Sequence, residues 1–599
     1  MKRLLLIFIF ITTAGLAWYG SELYRGWQMI QSVDFSLEAV DAQSLQSLTT
    51  DLQNLPPVYP YSVVKTNARR GQNILMKLED FESRVGTENF LHKQTIDELF
   101  DLNDEALAII HDTQTLLTLV PKNWLEPDLQ ILIADKQQQL EAVEQLLQRI
   151  KDAEYTLDYL VQKESSIVIL LQNTNEPRST GGFIGSFIVI DFAADGQIDW
   201  RFEDIYALDR KISVDKKIPA PEFFHGLDQT ISLKDSNFWP DFPTTAAYIR
   251  SMFAAIGQAP PTIIVGTNLK TAETILSLGG PVTLDQWGLT LTAENFDTAL
   301  QFLVEGKVTG RYSVKEPVAL FMQQVFSPEY LSKIEPSTVL NYDWESFWVQ
   351  KNILAHSTET KLQNIFDTWQ LSGRVEKHPL AENFLHFDFV SVGANKSEKF
   401  MWTKLDHNSR IASDGTVINT LKIKRTHALQ PGEIEAQLGF KSLPENIKNL
   451  MNEDLKWKLG AGQNRSVLRV WVPENTELIN QKNPSGEIFF VPNKNIRQPK
   501  LDSSSRSNTK KLSYLEIPLF VLPGESLEAT VTYQTKIKRG SQNWRPYWLQ
   551  LSGTPGRKQT KLYTSVSLVE DGKFSAETFN LGRPVDLVDQ DFRSVVEFE

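Results

Sequence analysis

The chain has 599 residues, 41% hydrophobic and 23% charged, with a net charge of −13, eight histidines and no cysteine. Such a length exceeds one hydrophobic core and implies several domains. The acidic balance excludes a reader of the nucleic-acid phosphate backbone, and the missing cysteines exclude disulfides, thiol catalysis and Cys-ligated zinc. The dispersed histidines argue against a transition-metal centre, while an Asp/Glu site for Mg²⁺ stays open.

Lys2 and Arg3 precede an apolar stretch, Leu4 to Tyr19, broken only by Thr12 and Thr13. It is a little shorter than the ~20 residues of a typical span, with Trp18, Tyr19 and Tyr24 suited to an interface. Residues 1–22 are therefore expected to be a single-pass signal-anchor in a bacterial cytoplasmic membrane. Positive charge before the stretch puts the N-terminus inside and the bulk of the chain outside. A cleaved signal peptide, with Gly15 and Ala17 near the cut, is the competing reading, and it also exports the body.

Residues 23–163 read as a helical stalk or bundle. Leu140, Val143, Leu147, Ile150, Leu157 and Leu160 recur at helical spacings between 136 and 160, and a second helix is expected near 103–119. Residues 164–285 read as a central α/β domain. Ile167–Leu171, Phe183–Phe192 and Ile198–Phe202 are expected strands, the first two separated by a polar loop from Gln172 to Thr180. Thr244 or Thr245 is expected to cap the helix that follows, and Gly279-Gly280 to end another that starts near Leu269. Residues 286–372 read as a helical subdomain, including a helix over 344–355. Residues 373–410 are expected to return a strand to the α/β domain. Short β-branched and aromatic runs between Gly, Pro, Asn and Asp turns across 411–599 predict a β-sandwich. The fold class is thus multidomain α+β: anchor, helical stalk, central α/β domain with a helical insertion, and C-terminal β-sandwich.

Three constellations carry candidate chemistry. Arg178, Thr180, Gly181 and Gly182 offer a guanidinium fork, a hydroxyl and an approachable backbone to an anion. These glycines precede a strand rather than a helix, so this is neither a Walker A nor a Rossmann loop, and a hairpin turn with a solvated Arg is the other reading. Asp204 and Asp209, with Arg210, stand at a strand end, where the carboxylates suit Mg²⁺ or a general base; an ordinary surface loop is the alternative. Lys234, Asp235 and Asn237 form a polar cluster beside Phe238, Trp239 and Phe242, fit either for binding or for an ordered turn.

The run LLQNTNEPRSTGGFIGSF (170–187) resembles the hallmark of an uncharacterised bacterial membrane-anchored family, domain of unknown function 4012. The resemblance extends through Asp204-Ile205-Tyr206, Lys234–Asn237, Pro240–Pro243, Gly279–Val282, Val392–Ser397 and Arg469–Pro473. Ser179 stands where that family usually has Pro, and Lys234 where it usually has Arg. The resemblance implies an exported envelope protein and brings no activity with it. A fainter similarity in order links Arg178-Ser179-Thr180, Asp209-Arg210 and Ile263–Val282 to cell-wall glycopolymer transferases of the LytR-CpsA-Psr family. The Asp of that family's first motif is missing here.

Two functions follow as expectations. One is a membrane-anchored cell-envelope protein with a structural, adhesive or assembly role and no established cofactor. The alternative is a binder or transferase of polyprenyl-pyrophosphate-linked glycans, with Arg178 and Lys234 on the pyrophosphate and Mg²⁺ on Asp204 or Asp209. That alternative requires these side chains to converge on one pocket with an apolar channel.

Overall fold

The computed structural model describes residues 66–570, except 68, 75, 78–92, 119–126, 196, 308–313, 335–337, 340–341, 376–382, 413, 440–442, 500–511, 537–546 and 554–559, together with short strands between 573 and 596. The expected anchor at 1–22 lies outside the described residues. Among the described residues no helix is long and apolar enough to cross a membrane.

The chain divides into two compact units. The first is helical. Helices α1 (Lys93–Thr118) and α2 (Pro127–Gln162) contain both expected helical segments. They run antiparallel, because Asp104 meets Lys151 at 2.6 Å while Gln114 meets Glu144 at 2.6 Å. Leu102, Ile109, Ile110, Leu140, Val143 and Leu147 are buried, as one apolar stripe per helix requires.

The second unit holds a five-stranded sheet and a β-sandwich. In chain order the sheet strands are β1 (Ser166–Arg178), β2 (Gly181–Phe192), β3 (Ile198–Asp204), β4 (Ile263–Thr267) and β5 (Ile353–Ser357), arranged spatially β3-β2-β1-β4-β5. β1 runs antiparallel to β2 and parallel to β4, and β5 is antiparallel to β4. The sheet is covered on both faces, which explains its continuous apolar runs. Val168, Leu170 and Phe187 pack with helix α3 (Phe242–Ala255) in one core. Ile169, Leu171 and Ile188 face a second core containing α4 (Leu269–Gly279), α5 (Phe296–Glu305) and α6 (Glu316–Val325).

Several expectations are corrected here. The segment 172–178 is not a loop: β1 continues through it, and only Ser179-Thr180 turn before β2. The helix expected over 344–355 stops at Val349, and Ile353–Ser357 supplies the sheet's edge strand β5. Its Leu354 and Ala355 are buried, so a short apolar run after a helix read as more helix. The cap of α3 is Asp241 rather than Thr244 or Thr245; its carboxylate accepts from the Thr244 backbone N–H at 3.1 Å and from the Thr244 hydroxyl at 2.7 Å. Residues 373–410 do not return to the five-stranded sheet. β6 (Asn383–Ser391) pairs with β9 (Asn464–Pro473), and β7 (Met401–Ala412) pairs with β8 (Thr416–His427), so the sandwich begins near 383.

The sandwich packs a six-stranded against an eight-stranded sheet. Phe387, Phe389 and Val470 of the first share a core with Leu405, Leu421 and Val531 of the second. The strands expected around 417–423, 467–472, 514–520, 527–533 and 547–551 all form. The outer side of β9 is also buried. There Arg469 bonds Asp388 at 2.8 Å and lies 4.3 Å over the Phe238 ring, while its Nη2 reaches Ser179 Oγ. The hairpin tip of the central sheet is thereby fixed on the sandwich.

Candidate functional site

Two irregularities in the β1–β2 hairpin create the site. Asn173 pairs with Phe183 and Pro177 with Gly182, so Thr174, Asn175 and Glu176 bulge out of β1. Leu171 pairs with Ser186 and Gln172 with Ile184, so Gly185 is an extra residue in β2. Bulges of this kind re-aim side chains near functional sites. Here they turn Glu176 into a cavity beside the sheet.

The Gln-Asn and Gly-Gly elements of the hallmark run explain one another. A Cβ on Gly181, whose φ is +141°, would lie 2.8 Å from Gln172 Oε1; one on Gly182 would lie 1.9 Å from the carbonyl oxygen of Asn173. The glycines thus permit a close crossing of β1 and β2 and do not form an anion cradle. Asn237 locks the crossing by donating to Gln172 Oε1 at 2.5 Å and to the Gly182 carbonyl at 2.6 Å. Thr180 is buried at the hairpin tip.

The cavity has a volume of about 510 Å³, within the range of small-molecule sites. Ile169, Leu171 and Ile188 from the sheet and Ile275, Val318 and Phe321 from α4 and α6 form an apolar wall. Two sets of paired charges stand at its polar side. Lys396 Nζ lies 2.6 Å from Glu176 and 2.7 Å from Glu305, which closes α5. Arg178 donates Nε and Nη2 to Asp235 Oδ1 at 2.9 and 2.7 Å, and Nη1 to the carbonyls of Pro177 and Ser391. Lys234 joins Asp228 at 3.0 Å and Asp235 at 3.6 Å. Lys315, Lys458 and Tyr206 also line it.

Burial alone would raise the Glu176 pKa, but Lys396, Arg178 and Lys315 hold it below the ordinary value. Burial opposes the charge on Lys396 too, yet Glu176 and Glu305 hold its pKa well above that of a free lysine. Lys315 goes the other way: burial and then the neighbouring Lys396 ammonium lower it, against the pull of Glu305, Glu176 and Asp204. Burial, followed by Glu176, Asp235 and Glu305, pushes the Tyr206 phenol up to about 12.

Of the expected residues, the structure brings Arg178, Lys234 and Asp235 together at the cavity. Asn237, Gly181 and Gly182 lie behind it as framework. Asp204 caps a short helix by accepting from the Tyr206 N–H at 3.0 Å, and Arg210 is exposed. Asp209 accepts from the Leu233 N–H at 2.8 Å and from Lys217 at 3.1 Å. Each of these aspartates thus holds a backbone N–H, and neither is among the residues that line the cavity. Among the described residues no three His, Asp or Glu side chains gather as metal ligands. Glu176 and Lys396, absent from the expected site, both stand inside stretches used for the family resemblance. Glu305 and Lys315 come from the helical segment, where each reads as an ordinary surface charge.

Fold and site together define an α+β protein with a cavity built on a bulged hairpin. Residues 162–303, which include that hairpin, Asn237, α3, α4 and α5 as far as residue 303, match the model of a family described as a protein of unknown function, DUF4012. No curated protein matches the chain.

Proposed function

We propose that the chain is an assembly-related binding protein of the bacterial cell envelope, held at the membrane by its N-terminal segment. Its central domain takes up an amphipathic molecule, with the apolar chain along the sheet and helices and the polar head at the charged residues. The observation carrying this reading is the cavity itself, where one apolar wall meets two sets of paired charges, Lys396 with Glu176 and Glu305, and Arg178 and Lys234 with Asp235. Lipid-linked glycans have this chemistry, and so do simpler lipids. Arg178 is committed to Asp235, and Asp204 and Asp209 are committed to backbone contacts, so binding is favoured over Mg²⁺-dependent transfer. The helical unit would space the binding domain from the bilayer.

The test is mass spectrometry of organic extracts from the full-length protein and from Ala272→Phe, which fills part of the cavity lining. An amphiphile should accompany the wild type and be depleted at least fivefold in the variant. Identical extracts from two equally folded proteins would remove the basis of this reading.

A further inference from the structure

Charges at the polar side of the cavity are already matched. Lys396 holds Glu176 and Glu305, Arg178 and Lys234 hold Asp235, and Lys458 holds Asp454 at 2.7 Å. An anionic head would have to draw one of these cations off its carboxylate. A cationic head would have to draw a carboxylate off its cation. Either exchange strands a charge away from water, which is costly. An uncharged head that donates hydrogen bonds disturbs neither set.

Acceptors for such a head are in place. Lys396 bonds Oε1 of Glu176 and Oε1 of Glu305, and the second oxygen of each carboxylate can still accept. Gln301 stands one turn before Glu305 on α5, lines the cavity and is only 6% exposed. Its amide nitrogen donates to Asp297 Oδ1, which also accepts from Asn175 Nδ2 at 2.7 Å. That carboxylate fixes the orientation of the amide and leaves Gln301 Oε1 a buried acceptor without a partner. Such an acceptor calls for a donor. A ligand hydroxyl offers one, and a ligand carboxylate does not.

An aromatic face borders the same place. The Phe183 ring lies 5.8 Å from the Arg178 guanidinium and 6.3 Å from the Tyr206 ring. Tyr206 lines the cavity and is 40% exposed. A sugar ring matches this combination: its C–H groups cover an aromatic face, and its hydroxyls donate to carboxylates and amides.

We infer that the ligand's head is an uncharged sugar ring, with hydroxyls donating to Glu176, Glu305 and Gln301 and one face resting on Tyr206. This rests on the binding reading above and names the head group that the cavity takes.

Isothermal titration of the full-length protein with five probes tests the inference: decyl glucoside, decanol, decanoate, decylammonium and glucose. Decyl glucoside should bind at least tenfold more tightly than the other three decyl probes, and glucose at least a hundredfold more weakly than decyl glucoside. Tyr206→Ala should weaken decyl glucoside tenfold or more and leave decanol within twofold, whereas Tyr206→Phe, which keeps the ring, should stay within threefold for both. Decanol, decanoate or decylammonium binding as tightly as decyl glucoside would overturn the sugar head and leave the binding reading standing. Failure of all four decyl probes would overturn both. Glucose binding as tightly as decyl glucoside would show a free-sugar site and overturn the amphiphile. An unchanged affinity in folded Tyr206→Ala would overturn the role of Tyr206. The wild-type probe series decides the head group even if a variant fails to fold.

Discussion

Glu176 and Lys396 stand 220 residues apart in the chain and meet at 2.6 Å inside the second unit. One comes from a three-residue bulge in a sheet strand, the other from the turn after sandwich strand β6. Their contact joins the two sub-structures at the point where the cavity becomes polar.

Removing the cation from this contact leaves Glu176 and Glu305 facing each other with little water. Lys396→Met is expected to destabilise the second unit by about 3 kcal/mol, the usual scale for stranding a buried charge. Replacing Glu176 and Glu305 by Gln in the same chain should recover much of that loss. Denaturant midpoints of the single, double and triple variants check this, and additive effects would show that the triad is not coupled.

The triad also fixes a pH window. Glu176 has a lowered folded pKa, so its contribution is present above the unfolded carboxylate value and is lost as pH falls through the folded one. Lys396 has a raised pKa, so its contribution is complete below the unfolded lysine value and is lost as pH rises through the folded one. Thermal midpoints should therefore fall on the acid side through Glu176 and on the strongly alkaline side through Lys396. Lys396→Met should flatten the alkaline limb; an unchanged limb would assign it to other groups.

Arg178 tests the difference between a ligand-binding fork and a structural one. Its guanidinium makes two contacts to Asp235 and two to carbonyls, all in a buried setting. Lysine keeps the charge and loses the planar fork. Arg178→Lys is expected to cost about 2 kcal/mol of stability through carbonyls and a carboxylate left short of donors. Amphiphile affinity measured on the folded fraction should change less than threefold. A large loss of affinity with unchanged stability would return Arg178 to the role of anion ligand.

Much of the architecture is legible in the residues. Period 3.6 marks α1 and α2, Gly279-Gly280 marks the end of α4, and β-branched runs between turns mark the sandwich. What fails is pairing. Nothing local in Phe384–Val392 says which sheet it joins, because a buried strand reads alike beside β1 or β9. Polarity misleads at Gln172–Arg178, where side chains that look like loop residues are satisfied by Gly-backed crossings and by Asn237 and Asp235. At the cavity, Arg178, Lys234 and Asp235 are legible because they cluster in motifs. Glu305 and Lys315 are not, because only the fold brings a helix C-terminus and a helix start to that bulge.

Glu516 is expected to titrate near neutrality. It lies opposite Arg469 between paired sandwich strands, and burial, eased by Arg469 and reinforced by Glu222, pushes its pKa from 4.5 to about 7. Between those values the unfolded chain has lost the proton and the folded one keeps it, so stability falls as pH rises and levels off above about 7. Glu516→Gln removes that penalty. The variant should match the wild type near pH 4.5 and exceed it by roughly 2 kcal/mol at pH 8, since a tenfold change in proton affinity is worth about 1.4 kcal/mol before solvent screening. A stability difference constant across that range would show that the carboxyl titrates normally.

The crossing of β1 and β2 makes the sharpest demand on a single atom. A Cβ on Gly182 would come within 1.9 Å of the Asn173 carbonyl oxygen and 2.1 Å of its carbon, both backbone atoms. No rotamer change relieves such a contact, so the strands must separate, and with them the bonds from Asn237 to Gln172 and Gly182. Gly182→Ala is expected to destabilise by more than about 3 kcal/mol, the scale of overpacking combined with a broken buried network. Gly226→Ala is the matched control, since nothing lies within 4 Å of the added methyl, and it should stay within about 0.5 kcal/mol of the wild type. Chemical denaturation of both variants decides the point. If Gly182→Ala unfolds at the wild-type midpoint, the close crossing is not what the paired glycines are for, and the anion-cradle reading of Gly181-Gly182 regains its place.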